Sequence, residues 1–347
     1  MKVVQIGCGK MSLYTMRYVL EKGGLLVGAF DISKDVIGKD VAEVLNMNGS
    51  ICKVEDIASL DARLKELKPD IAIITTMSLM SDLYNVMMIC ANNGVNAITT
   101  CEEAFYPWNS FEKTREIDGV AKAHNCTICG SGYQDVSWGS LVTALCGTTQ
   151  SITKITGKSS YNVEDYGIAL ARVHGAGLTT EQFEKEIVSA NTVSDERAKE
   201  LMAKGEFLPS YMWNVNGWLV SALGLHVKSQ SQRCVPHIAR EDLNSSTLQM
   251  TIAKGDVTGM SAIVTTETEE GIVIESECIG KVYASDEFDS NEWTVYGEPN
   301  TTVTINKPQT VEMTCASIVN RLPDVVKAPA GYVTTEKMGE LRFKKSL

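Results

Sequence analysis

The sequence predicts an α/β protein: a doubly wound parallel sheet in the N-terminal part, then an α+β domain with a mainly antiparallel sheet. Three observations predict it. A strand, a glycine-punctuated turn, a helix and a second strand ending in an acid open the chain. Continuous apolar runs then alternate with helical stretches to about residue 145, as buried parallel strands require. Beyond that point apolar and polar residues alternate, the pattern of strands with one wet face.

Lys2-Val3-Val4-Gln5-Ile6 is the first strand, Gly7-Cys8-Gly9-Lys10-Met11-Ser12 the turn, and 13–22 the helix. Leu25-Leu26-Val27-Gly28-Ala29-Phe30 then ends in Asp31. This order suits a dinucleotide. Gly7 permits the tight turn, Gly9 lets backbone N–H groups approach a pyrophosphate, and the helix N-terminus supplies partial positive charge. Asp31, 24 residues after Gly7, can accept from an adenosine ribose. Ser12 replaces the third glycine of the usual pattern, a conservative change at a packing position. The bland alternative is a tight β–α turn with no ligand.

Ile71-Ala72-Ile73-Ile74-Thr75-Thr76 is another buried strand, followed by a helix over 79–92. A strand over 96–100, a helix over 109–123 and a strand at Cys126-Thr127-Ile128-Cys129 complete the series. Ligands on such sheets sit at the carboxyl ends of the strands. The candidates are therefore Thr75, Thr76, Cys101, Glu102, Glu103 and the turn Gly130-Ser131-Gly132-Tyr133. A carboxylate directly after strand 96–100 stands where a nicotinamide ring would lie. Amine oxidation needs such a base, to keep the amine neutral and to activate water against the iminium. Adjacent residues point in different directions, so one of Glu102 and Glu103 is expected to face the ring. The other is expected to be solvated or to cap the helix near 109. Tyr133 and Trp138 read as core or as pocket aromatics, and Asp135 as a helix cap.

The second domain is expected over 146–308, with strands near 152–158, 249–253, 259–266, 271–278 and 301–305. Helices over 180–204 and 210–223 interrupt them, the first opened by a Thr179-Thr180-Glu181-Gln182 cap. Tyr166 and His174 precede these helices. Gly175 suggests a tight loop that brings His174 to a cleft; the alternative is a hydrogen-bonded structural histidine. A helix over 309–320 is expected to return the chain to the first domain, 1–145, so that 309–347 belongs with it.

A net charge of −11 argues against nucleic acid and anionic membranes as partners. The longest apolar runs fall far short of a membrane span. Strand one begins at Met1-Lys2 with no leader, so a cytoplasmic protein with reduced cysteines is expected. Cys126 and Cys129, three apart on a strand, face opposite sides, and no second ligand pair completes a metal site.

Several blocks resemble the 2,4-diaminopentanoate dehydrogenases and the related native amine dehydrogenases. They are Gly7-Cys8-Gly9-Lys10-Met11, Gly38-Lys39-Asp40, Cys101-Glu102-Glu103-Ala104-Phe105-Tyr106-Pro107-Trp108 and Gly132-Tyr133-Gln134-Asp135-Val136-Ser137-Trp138. His174-Gly175-Ala176-Gly177-Leu178-Thr179, Asn320-Arg321-Leu322-Pro323 and Ala328-Pro329-Ala330-Gly331-Tyr332 complete the likeness. The resemblance implies a Rossmann domain joined to an α+β domain, as in dihydrodipicolinate reductase. It implies NAD- or NADP-dependent oxidation of amines lacking an α-carboxylate, reversible by amination of ketones with ammonia. The partners are thus small molecules, in a homodimer. It places the catalytic carboxylate at Glu102 first and Glu103 second, and pocket residues at Tyr133 and Trp138, joined by Tyr166 and His174. Gly7, Gly9, Lys10, Met11, Asp31, Lys34, Thr75, Thr76, Cys101 and Asn320 are the expected cofactor contacts. Asp31 favours NAD, while Lys34 stands close enough in sequence to meet a 2′-phosphate. Two rivals remain. An imine or carbonyl reductase for diacids would need a basic cluster, for which only Arg172, Arg233, Arg240 and Arg321 are scattered candidates. A non-catalytic nucleotide-sensing protein would bind the cofactor without turnover.

Overall fold

The computed structural model describes all 347 residues apart from the side chain of Ala169. Two compact units result, Met1–Ser140 with Gln309–Leu347, and Leu141–Pro308.

The first unit is built on β1 (Lys2–Ile6), β2 (Leu25–Asp31), β3 (Val54–Asp56), β4 (Ile71–Ile74), β5 (Asn96–Thr99) and β6 (Thr127–Gly130). Together with a short strand Gly331–Tyr332 they form one sheet, in the order Gly331–Tyr332, β6, β5, β4, β1, β2, β3. Every pairing is parallel. The order reverses between β1 and β4, the Rossmann arrangement, whose ligands bind at that reversal.

Alternate strand residues feed two cores. Val4, Ile6, Ala72, Ile74, Ala97 and Ile128 pack on one face, with the helices Leu60–Leu67, Met80–Asn92 and Thr114–Ala123. Val3, Ile71, Ile73, Ile98 and Cys129 pack on the other, with Met16 and Val19 of helix Lys10–Glu21 and Ile318, Val319, Leu322 and Val325 of helix Thr310–Lys327. Cys126 belongs to the first core and Cys129 to the second, as their spacing on a strand requires. All ten cysteines are free thiols. The expected helix over 109–123 starts only at Thr114, because Pro107–Asn109 forms a separate 3-10 turn.

The second unit carries β7 (Ser151–Asn162), β8 (Val227–Ile238), β9 (Leu243–Ser245), β10 (Met250–Ile252), β11 (Val257–Thr268), β12 (Val273–Lys281), β13 (Ser290–Glu298) and β14 (Thr301–Asn306). Six of them form a sheet in the order β14, β13, β7, β12, β11, β8, antiparallel except for the β7–β12 pair. Helix Tyr211–Ala222 lies on one face. Its Asn216 donates to Thr266 Oγ1 at 3.1 Å and accepts from Ser276 Oγ at 2.6 Å.

Two sequence expectations fail here. The helix over 180–204 breaks at Thr192, because Val193 exchanges two 2.8 Å backbone hydrogen bonds with Gln232; Ser194 then caps a new helix, Asp195–Lys204. Strands β8, β9 and β13 are additions to the expected set. In β8 the inward positions are Gln230, Gln232 and Cys234, so no apolar alternation marks it. Both glutamines are satisfied inside, Gln230 by the Trp213 carbonyl and Gln232 by that of Asn191, each at 2.9 Å. Pro236 is tolerated because β8 is an edge strand.

Candidate active site

The turn after β1 is a closed polar network. Gly7 has φ +88°, and a Cβ there would stand 2.8 Å from Thr76 Cγ2 and 3.0 Å from the Thr75 carbonyl, so only glycine fits. Its N–H donates to Phe30 O at 2.8 Å. Gln5, fully buried in β1, is the hub: its Nε2 donates to Gly7 O (3.0 Å) and Thr75 Oγ1 (2.9 Å), while its Oε1 accepts from Thr15 Oγ1 (2.8 Å). Thr75 Oγ1 in turn donates to Gly7 O at 3.1 Å. Asp31 accepts from Cys8 N–H at 2.5 Å with one oxygen and from Ser33 N–H at 2.7 Å with the other. Ser12, buried in place of the usual glycine, donates to Gly9 O at 2.6 Å and so fits the packing position.

Gly9 differs from Gly7. It is the extended N-cap of helix Lys10–Glu21, no side chain caps that helix, and a Cβ built on Gly9 would meet nothing within 4 Å. Exposed N–H groups at a helix start, open space at the glycine and a fixed acid at the end of β2 are the donor and acceptor set a dinucleotide needs. Gly9, Lys10 and Met11 would hold its phosphates and Asp31 its ribose.

The turn after β5 is built the other way. Gly130 of β6 lies so close that a Cβ on it would stand 2.3 Å from the Ala104 carbonyl carbon, which seats residues 102–105 directly on the neighbouring strand. Tyr332 Oη donates to Ala104 O at 2.6 Å, and Ser131 N–H to Thr99 O at 3.0 Å. Cys101 is buried and its thiol donates to Ser78 O at 3.0 Å. Within this seat stand two carboxyl groups. Glu102 is half-buried; loss of solvent around its carboxyl pushes its pKa up to about 7, and the neighbouring Glu103 adds to the rise. A hydrogen bond from Ser78 pulls it the other way. Glu103 is buried, and burial likewise raises its pKa to about 7 against the bond it accepts from Met80 N–H at 2.6 Å. Glu103 therefore caps helix Met80–Asn92, not a helix near 109, and it is not solvated. Glu102, bonded to its own N–H and to Ser78, is the carboxyl of the pair that caps no helix.

Beyond β6, Tyr133 and Trp138 pack edge to face with centroids 5.8 Å apart. Asp135 does not cap a helix. It is fully buried and forms a forked ion pair with equally buried Arg321, at 2.8–3.0 Å, while accepting from Ser131 Oγ at 2.8 Å. Arg321 also donates to Gly339 O at 2.9 Å. Thus Arg321 is unavailable to a substrate diacid.

The remaining expected residues fall as follows. Thr76 and Lys34 are exposed. The side-chain oxygen of Asn320 accepts from Lys344 N–H at 3.0 Å and anchors the C-terminal segment. In the second unit, His174 is buried with Nδ1 on Leu170 O (2.8 Å) and Nε2 on Tyr161 Oη (2.7 Å), and burial lowers its pKa. Tyr166, 48% exposed, packs edge-on against Tyr161. Arg172, Arg233 and Arg240 are exposed. Sequence reasoning does not find Gln5 or Ser78; a lone glutamine inside an apolar strand is the available signal for the first.

A solved structure of amine dehydrogenase from Mycobacterium smegmatis shares 35% identity with this chain, covers 100% of it and 98% of itself, and superposes with a TM-score of 0.85. The chain belongs to the amine dehydrogenase family. A curated 2,4-diaminopentanoate dehydrogenase from Acetoanaerobium sticklandii is 22% identical over 187 residues, 53% of each protein, so the chain spans about half the length of that relative. Dihydrodipicolinate reductase from Paenisporosarcina sp. TG-14 shares the fold at 13% identity and TM-score 0.51, covering 96% of this chain and 98% of its own. No family model matches the chain. As an amine dehydrogenase family member the protein is an oxidoreductase of the NAD(P)-dependent Rossmann type. Among the described residues, no helix is long and apolar enough to cross a membrane.

Proposed function

We propose that the protein interconverts amines lacking an α-carboxylate and the corresponding ketones, releasing or consuming ammonia, with NAD preferred to NADP. The observation that carries this reading is the Glu102 carboxyl, seated at the carboxyl end of β5 and shifted to about 7. A group with that pKa exchanges protons at neutral pH, which an ordinary surface glutamate does not. The nicotinamide, when bound, supplies the two-electron acceptor. Glu102 does the rest of the work we assign to the chain. Its carboxylate takes the proton that holds the incoming amine as ammonium and passes it to solvent, and later takes a proton from water as that water adds to the iminium carbon. Glu102 then returns this proton to the carbinolamine nitrogen, so that ammonia leaves, and takes up the hydroxyl proton as the ketone forms. A bound ammonium lowers the carboxyl pKa, so the ionised base is present when substrate arrives.

Asp31 supports NAD, because a carboxylate held at the end of β2, where an adenosine ribose would lie, repels a 2′-phosphate. The diacid-reductase rival loses Arg321 to Asp135, and its remaining arginine candidates are exposed and dispersed. The test is NADH oxidation with a panel of ketones, with and without ammonia. Ammonia-dependent oxidation is expected, weaker with NADPH. Cofactor-induced stabilisation with no turnover on any ketone or amine would mean a nucleotide sensor instead.

A further inference from the structure

The loop between β4 and helix Met80–Asn92 carries Ser78 one residue ahead of the helix N-cap, Leu79. A serine at a helix start ordinarily turns its hydroxyl to the free N–H groups of the first turn. Here it does not. The N-cap residue makes no side-chain bond, and Met80 N–H is satisfied from another turn, by Glu103 Oε2 at 2.6 Å. The Ser78 hydroxyl goes instead to the Glu102 carboxyl. Cys101 closes the pattern, its thiol donating to Ser78 O at 3.0 Å. Three consecutive residues of the turn after β5 are thus bonded to the stretch 78–80: Cys101 and Glu102 to Ser78, and Glu103 to Met80. Each of two adjacent carboxyl groups receives a donor of its own, which opposes the sharing of one proton between them. The two donors differ in kind. Glu103 holds a backbone N–H at a buried residue; Glu102 holds a hydroxyl at the exposed rim. The loop itself is tied down at its base, where Thr75 Oγ1 donates to Gly7 O at 3.1 Å and accepts from Gln5 Nε2 at 2.9 Å.

We propose that Ser78 is the positioning residue of Glu102, its hydroxyl holding the carboxylate in one orientation at the rim where the proton is transferred. This rests on the reading of Glu102 as the base of amine oxidation. A hydroxyl that donates to a carboxylate favours the charged form, so its loss makes the acid weaker. Ser78→Ala removes that hydroxyl alone: the carbonyl that serves Cys101 and the Met80 N–H that serves Glu103 stay in place.

The experiment follows NAD-dependent oxidation of 2-aminobutane against pH in wild type, Ser78→Ala and Ser78→Thr. In Ser78→Ala the acid limb of kcat/KM should move up by about one pH unit. The loss should be about five-fold at pH 7 and less than about two-fold at pH 9.5. Ser78→Thr keeps the hydroxyl and should keep the wild-type limb. A limb that stays in place in Ser78→Ala overturns the proposal. So does an equal loss at every pH that Ser78→Thr fails to restore, which would make Ser78 a piece of loop structure only. A second readout needs no turnover. In protein carrying ¹³C at its glutamate carboxyls, the resonance missing from Glu102→Gln belongs to Glu102. Its titration midpoint should rise by about one unit in Ser78→Ala and match wild type in Ser78→Thr. If the midpoint rises but no amine is oxidised, the proposed reaction fails and the positioning of Glu102 stands. If amines are oxidised but neither limb nor midpoint moves, the reaction stands and the role of Ser78 fails.

Discussion

The turns after β1 and β5 stand on one parallel sheet and are built on opposite principles. After β1, the buried polar atoms of Gln5, Ser12, Thr15 and Thr75 are all paired with one another or with backbone. After β5, two adjacent carboxyl groups are pressed into protein, and both titrate far above an ordinary glutamate. A satisfied network gives rigidity; desolvated acids give reactivity at some cost in stability. This difference is why we propose binding for the first turn and proton transfer for the second.

The brace shared by this rim is the sharpest place to break it. Asp135→Asn leaves buried Arg321 with only the more distant Asp324 carboxylate, at 3.6 Å, and should cost about 3 kcal/mol in denaturant unfolding. A loss below about 1 kcal/mol would show that the pair is not a structural lock.

The two glycines separate fold from binding inside the first turn. Gly7→Ala combines positive φ with a backbone clash and should lose about 2–3 kcal/mol of stability. Gly9→Ala meets open space and should leave stability within about 1 kcal/mol of wild type. Its NADH dissociation constant, by fluorescence titration, should nevertheless rise about ten-fold, since a methyl group occupies the phosphate approach. Equal effects of the two substitutions on both properties would erase the distinction.

The second turn predicts a pH signature. Both glutamates hold their protons more tightly folded than unfolded, so between about pH 4.5 and 7 the native state binds more protons and unfolding free energy falls as pH rises. From these two groups the loss between pH 5 and pH 8 reaches at most about 5 kcal/mol, reduced by solvent screening at half-buried Glu102. Glu103→Gln keeps an acceptor for Met80 N–H and should recover part of it at pH 8 while lowering turnover less than about ten-fold. A mutant whose stability follows the wild-type pH curve would contradict the shifted carboxyls.

Much of the first unit is legible in sequence because its strands are short apolar runs and its turn carries Gly7, Gly9 and Asp31 at the spacing a dinucleotide site requires. The Glu102–Glu103 pair is legible as a position but not as a choice. Only the contact of Glu103 with Met80, 23 residues earlier in sequence, tells the two apart. Asp135 looks like a cap because its partner Arg321 is 186 residues away. Strand β8 is hidden because its inward residues are glutamines, whose burial depends on carbonyls that no local pattern announces. The break at Thr192 is hidden for the same reason, since β8 causes it.

The central assignment is tested most directly by Glu102→Gln. Amine oxidation and ketone amination should both fall about 10³-fold, while NADH binds within about two-fold of wild type. Turnover within about ten-fold of wild type in a properly folded Glu102→Gln protein would contradict it.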